Sequence, residues 1–350
     1  MISARLTISS NSPHTCGVLT GFHMLNQQHR LNLTLSDQRT SGSPLMDESL
    51  IEADINGLHV VFDLMDGYFY NHPDSVFSLF ESADYIFKRS YSRIKNSQFP
   101  KSIQSKIRPF GLNYFVTYPG CPITPPPRNP LKRFRKWKSD TNCYVSDFES
   151  SYSAKRLSSP RILFLTRLWS PSDPGIQNHP DLIPQWEAVS NMRIELLRQL
   201  RKRFSSQLIG GVFRDSYAEQ CCPDLIAPPE MTCKRNFLKE IRQSDICIAS
   251  TGLHESIGWK TAEYVAAGRA IVSEKLCYEV PGDFLAGQNY LEFATVHECL
   301  SQIEYLLTHQ DEILVMAQRN HDYYQYWLRP DSQILQALEQ LPLSGREVSL

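Results

Sequence analysis

At 350 residues the chain exceeds the usual size of a single hydrophobic core, so two domains are expected. Hydrophobic residues at 41%, charged residues at 21% and a formal net charge of −1 exclude a disordered chain and a dedicated nucleic-acid binder, which carries a clear basic excess. Nine cysteines at irregular spacings, without a C-x-x-C, argue against a disulfide framework or structural zinc.

The amino terminus, MISARLTISSNSPHT, has no apolar core behind a basic start, and no stretch approaches the roughly 20 apolar residues of a membrane-spanning helix. A soluble, cytoplasmic protein is the expectation. ARLTISS and LNLTLSD have strand character, with helical spacing in CGVLTGFHMLNQQ between them. Gly17 and Gly21 offer close approach of backbone to a ligand, and His23 reads as a packed histidine. GLHVVFDLMDGY is a buried strand that ends in Asp63 and Asp66. Either acid is a candidate general base toward a bound hydroxyl, or both cap the following turn. FSLFESADYIFKRSYSRI predicts a helix feeding a strand at Tyr85–Phe87. Lys88 and Arg89 beyond it are contacts for an anionic ligand or a plain surface pair. Strand, helix and strand in repeated order predict a parallel sheet with covering helices over residues 1–150.

Between Tyr118 and Lys138 the pattern breaks into YPGCPITPPPRNPLKRFRKWK, with six prolines and then a basic run. Prolines remove backbone donors and fix φ, so this reads as a loop or linker. Arg128, Lys132, Arg133, Arg135, Lys136 and Lys138, with Phe134 and Trp137 among them, suit an exposed linker or peripheral docking on an anionic membrane. RILFLTRLWS opens a second round of strand and helix that predicts another α/β domain over 151–325. A long helical pattern near 184–204 follows, then SQLIGGVF, NFLKEIRQS, DICIAS and AIVSE as strand, helix, strand and strand. The chain closes on two helical patterns.

The stretch LHESIGWKTAEYVAAGRAIV places Glu255 and Glu263 eight positions apart around Gly258, with Gly268 suited to end the helix. It follows an apolar strand, so the loop lies at a carboxyl edge, where open α/β sheets bind ligands. The unpaired N–H groups of the helix start suit a diphosphate. Along the axis, eight residues at about 1.5 Å each span at most ~12 Å, roughly the distance from a sugar ring across a diphosphate to a ribose.

ESIGWKTAE resembles the E-x7-E signature of GT-B glycosyltransferases, with Glu255, Gly258 and Glu263 on matching positions, and the likeness covers roughly residues 161–325. The resemblance implies two Rossmann-like domains facing each other across a cleft and a sugar moved from a nucleotide-sugar donor to an acceptor hydroxyl. Such a reaction serves glycan or glycolipid biosynthesis and needs no metal or other cofactor. It implies that Glu255 binds donor sugar hydroxyls, Glu263 the ribose, and Arg167 the diphosphate. Beside them, Ser256 and Ile257 are further candidate donor contacts, and His254 is either a donor contact or a water-exposed loop residue. The lysine that usually follows the arginine is absent, and Lys234 or Arg235 is a candidate for its charge or a solvated face. A sugar, glycolipid or protein acceptor is expected and nucleic acid is not. A final helix over 326–350 is expected to cross back to the first domain. The alternatives are a non-catalytic subunit of the same fold and a GT-B-type nucleotide-sugar epimerase.

Overall fold

The computed structural model describes residues 1–10, 12–39, 48–122, 143–149, 159–173, 176 and 180–343. The basic run Arg128, Lys132, Arg133, Arg135, Lys136 and Lys138 lies outside the described residues. The chain divides into two compact units. The first comprises Met1–Val145, Cys277–Asp283 and Tyr323–Leu350, and the second Ser146–Leu276 and Phe284–Asp322. Each is an α/β, Rossmann-like unit built on one sheet. Among the described residues no helix is long and apolar enough to cross a membrane.

In the first unit β1 (Ile2–Ile8), β2 (Leu31–Asp37), β3 (Leu50–Ile55), β4 (Leu58–Asp63), β5 (Tyr85–Lys88) and β6 (Ile107–Pro109) form one sheet in the order β2-β1-β3-β4-β5-β6. The sheet is not the purely parallel one that the sequence order suggests. β3 lies antiparallel between β1 and β4, and it joins β4 in a hairpin through Asn56 (φ 51°) and Gly57 (φ 85°). Both turn residues are left-handed, the backbone a tight hairpin requires, and Asn-Gly supplies it cheaply. Alternation along β4 feeds two cores: Val60 and Phe62 pack with Phe22, Phe87 and Phe110, while Val61 packs with Phe80, Ile86 and Phe99.

Gly21, in the helix Cys16–Gln27, serves packing rather than a ligand. A Cβ there would lie 2.2 Å from the Pro330 carbonyl oxygen and 2.6 Å from Ile334. Only glycine lets the helix Pro330–Leu338 approach so closely. At Gly17 a Cβ would meet Asn113 Oδ1 at 3.1 Å, again a protein neighbour.

In the second unit β7 (Ile162–Thr166), β8 (Leu208–Val212), β9 (Ile246–Ala249), β10 (Ala270–Glu274) and β11 (Leu291–Phe293) form an all-parallel sheet in the order β11-β10-β9-β7-β8. The strands are near-continuous apolar runs, as sheets covered on both faces demand. After β7 the chain steps to β8 on one side. It then returns to β9 on the other and continues outward to β11. The reversal of strand order between β7 and β9 is the topological switch point at which open α/β sheets take ligands.

Candidate functional site

Two loops leave the carboxyl edge at that switch point: Arg167–Trp169 after β7, and Ser250–Gly258 after β9. The helix Ile183–Phe204 holds both. Its Arg193 is buried and donates from Nη1 to the Arg167 carbonyl at 2.8 Å, from Nη2 to the Thr251 carbonyl at 2.8 Å and from Nε to Ser250 Oγ at 3.0 Å. Burial, only partly offset by Glu274, lowers Arg193 to about 10, still cationic at neutral pH. From the same helix Ser190 Oγ accepts from the Trp169 N–H at 2.9 Å, and Gln185 Oε1 accepts from the His254 N–H at 3.0 Å. Glu274, at the end of β10, accepts from the Thr251 N–H at 2.7 Å and from its hydroxyl at 3.0 Å.

Arg193 and Glu274 were not singled out by the sequence reasoning. Arg193 had a signal: it stands three, four and seven residues before the buried Leu196, Leu197 and Leu200, a charge on the apolar stripe of a helix. Arg167 is exposed, and its guanidinium carbon sits 4.7 Å from the Trp169 ring centre. Stacking on an indole fixes a guanidinium while leaving its N–H donors outward.

The loop after β9 is tightly wound. Gly252 N–H donates to the Ser256 carbonyl and Ser256 N–H to the Leu253 carbonyl, at 2.8 and 3.0 Å. His254 and Glu255 are both left-handed, at φ 56° and 60°. Ser256 and Ile257 are buried beneath the loop, whereas Glu255 is exposed. Gly258 then caps the helix Trp259–Ala266 with an ordinary extended backbone, φ −65° and ψ 153°, and no side chain caps the first turn. A Cβ at Gly258 would meet only the Ser250 carbonyl, at 3.6 Å, so the protein's own packing does not demand glycine there. Gly268, at φ 58°, ends the helix.

The two glutamates occupy different environments. Glu263 is buried in the second turn, and its Oε1 pairs with Lys234 Nζ, whose ammonium also lies 5.4 Å from the Phe237 ring. Lys234 therefore meets the motif through Glu263, with its ammonium engaged by that carboxylate. Arg235 is exposed, and among the described residues no carboxylate pairs with it. Lys260, in the first helical turn, is a further cation that the sequence reasoning passed over.

In the first unit Asp63 and Asp66 part company. Asp63 is fully buried: Oδ2 takes the Lys88 ammonium at 2.6 Å and the Tyr70 hydroxyl at 2.7 Å, while Oδ1 accepts from the Met65 N–H at 3.0 Å. A carboxylate closed in this way reaches no acceptor, which corrects its assignment as a candidate base. Lys88 and Arg89 are likewise not a surface pair; both are buried. Asp66 stays about one-third exposed, and its Oδ1 takes Arg89 at 2.6 Å. Arg89 also donates to His14 Nδ1 at 2.9 Å. Burial first, then the Arg89 charge, push His14 down to about 4 against the pull of Asp66, so the ring is neutral with its proton on Nε2. His23 hydrogen-bonds the Pro119 carbonyl at 3.0 Å.

No protein-family model matches the chain, and no curated protein matches it in sequence. Among solved structures it is similar to MnaA of S. aureus, determined with UDP, at 10% identity over 100% of both chains with a TM-score of 0.43. It is similar to WaaG, a glycosyltransferase involved in lipopolysaccharide biosynthesis, at 9% identity over 97% of this chain and 99% of that one, TM-score 0.43. HepE of Anabaena, determined with UDP and glucose, aligns at 10% identity over 91% of this chain and 89% of that one, TM-score 0.40. At such identities the reading of the site rests on its own geometry.

Proposed function

We propose that this chain is a metal-independent GT-B glycosyltransferase that moves a sugar from a nucleotide-sugar donor to an acceptor hydroxyl. The observation that carries the reading is the convergence, at one switch point, of an uncapped helix start, an outward arginine on Trp169 and an exposed acid on a strained loop. The diphosphate meets the N–H groups after Gly258 and the Arg167 guanidinium, which together stabilise its charge as it departs. Glu255 accepts from donor sugar hydroxyls, and Glu263, sharing its carboxylate with Lys234, lies on the ribose side. His254, Ser256 and Ile257 shape the loop over the donor. In the transfer step the acceptor O–H gives its proton to a base and forms the new bond to the anomeric carbon. The bond from that carbon to the phosphate oxygen breaks, and the nucleoside diphosphate leaves.

Calorimetric titration with UDP, GDP, CDP and ADP and their glucose or mannose conjugates tests this. At least one nucleotide binds the wild type, and Arg167→Ala weakens it by about tenfold or more, the loss of one charge-assisted contact. Glu255→Ala weakens the sugar conjugate selectively. Glu263→Ala is the poorer probe, because it also strands Lys234. Indifference of every nucleotide to the wild-type protein would remove the proposal.

A further inference from the structure

Lys260 stands two positions past Gly258, in the first turn of the Trp259–Ala266 helix. Its ammonium lies 5.2 Å from the Phe213 ring centre and 5.4 Å from that of Phe237. Phe213 directly follows β8, so the lysine is held at the carboxyl edge by aromatic faces and not by an acid. Among the described residues no carboxylate forms an ion pair with it. Glu263, one turn further along, gives its Oε1 to Lys234 instead. The charges acting on Lys260 from the elements around it are Glu263 on its own helix, Arg193 on the long helix, Lys234 on the helix Lys234–Gln243, and Arg167 after β7. One acid faces three cations, and the helix start adds its own partial positive charge. Such a cluster opposes its own protonation when empty and is relieved by a polyanion.

We propose that Lys260 is a diphosphate-binding residue of the donor site and takes up a proton when a nucleoside diphosphate binds. This rests on the donor-site reading above. Burial is the first cause and the three cations add to it, and together they bring the free lysine down to about 8 against the pull of Glu263. At pH 8 half of the empty protein therefore carries a neutral amine. A bound diphosphate supplies the missing counter-charge and raises the value, so binding draws a proton from solvent. Affinity is fully present below about pH 8 and is lost as pH rises above it, by about tenfold from pH 7 to 9. The terminal phosphate of the diphosphate, with a second pKa of about 6, is nearly fully ionised over that window and contributes little to the slope.

The experiment is calorimetry of the full chain with whichever of UDP, GDP, CDP or ADP binds, from pH 7 to 9, in buffers of differing ionisation enthalpy. The wild type takes up about half a proton near pH 8 and loses about tenfold in affinity by pH 9. Lys260→Met binds more weakly, with a flat pH profile. Lys260→Arg keeps the charge without titrating in this range, so it binds well and equally across the window. That arm decides the matter even if the methionine variant fails to fold. Wild-type affinity and pH slope in both variants, with binding still weakened in Arg167→Ala, overturn the role of Lys260 and leave the donor site standing. Failure of every nucleotide to bind the wild type overturns both.

Discussion

His254 and Glu255 are consecutive left-handed residues, and each costs about 1–2 kcal/mol over an ordinary conformation because neither is glycine. The surrounding bonds hold them there: the Gln185 side chain on the His254 N–H, and the turn closed between Gly252 and Ser256. Strain of this kind persists where a side chain is wanted in a position that the backbone would otherwise refuse. Replacing Glu255 by glycine releases the strain and removes the carboxylate; replacing it by alanine removes only the carboxylate. The glycine variant is expected to be about 1 kcal/mol more stable than the alanine variant, a rise of roughly 2–4 °C in Tm for cooperative unfolding of the second unit, Ser146–Leu276 and Phe284–Asp322. Both are expected to lose affinity for the nucleotide sugar while keeping that for the bare nucleotide. Equal melting of the two variants would show that the loop carries no strain at this position.

The long helix Ile183–Phe204 is the element that makes two loops into one site. Arg193 reaches three acceptors on two loops, a geometry that a lysine's single ammonium does not reproduce. Arg193→Lys is expected to lose roughly 2–4 kcal/mol, as buried acceptors lose a charged partner, and to weaken nucleotide binding although Arg193 itself faces the loops. Urea unfolding followed beside nucleotide titration checks this, and unchanged values in both would sink it. Much of this architecture was legible in advance. The alternation of apolar runs and helical stripes marks two α/β halves, and the glycine-flanked motif after DICIAS marks the loop that leaves the switch point. What escaped depends on register. Asp63 and Lys88 are cross-strand partners on β4 and β5, so neither could be recognised as the other's counter-ion before the strands were paired. Lys234 and Glu263 meet from separate helices, 29 positions apart. The β3–β4 hairpin was within reach, because Asn56-Gly57 between apolar runs is a strong short-range hairpin signal.

The whole molecule is threaded so that its first unit is completed last. Residues 323–343 return to it after the second unit has been built, and Ile334, Leu335, Ala337, Leu338 and Leu341 enter the core formed by Leu6, Val18, Phe22 and Phe62. Four of those five are full-size aliphatic side chains, worth about 1.5–3 kcal/mol each when buried, so the terminal segment contributes on the order of 10 kcal/mol. That equals the entire net stability of an ordinary domain. A chain ending at residue 322 is therefore expected to leave the first unit unfolded, with the apolar face around Gly21 uncovered. The second unit keeps its sheet, its switch point and both loops, since Ser146–Leu276 and Phe284–Asp322 remain present. Amide hydrogen exchange resolves the two outcomes: protection is expected to vanish across β1 to β6 and to persist across β7 to β11. Milder damage tests the same seam, because Gly21→Ala sets a methyl group 2.2 Å from the Pro330 carbonyl oxygen and forces the two helices apart. Full protection of the first sheet in the shortened chain would mean that its core closes without the returning helix.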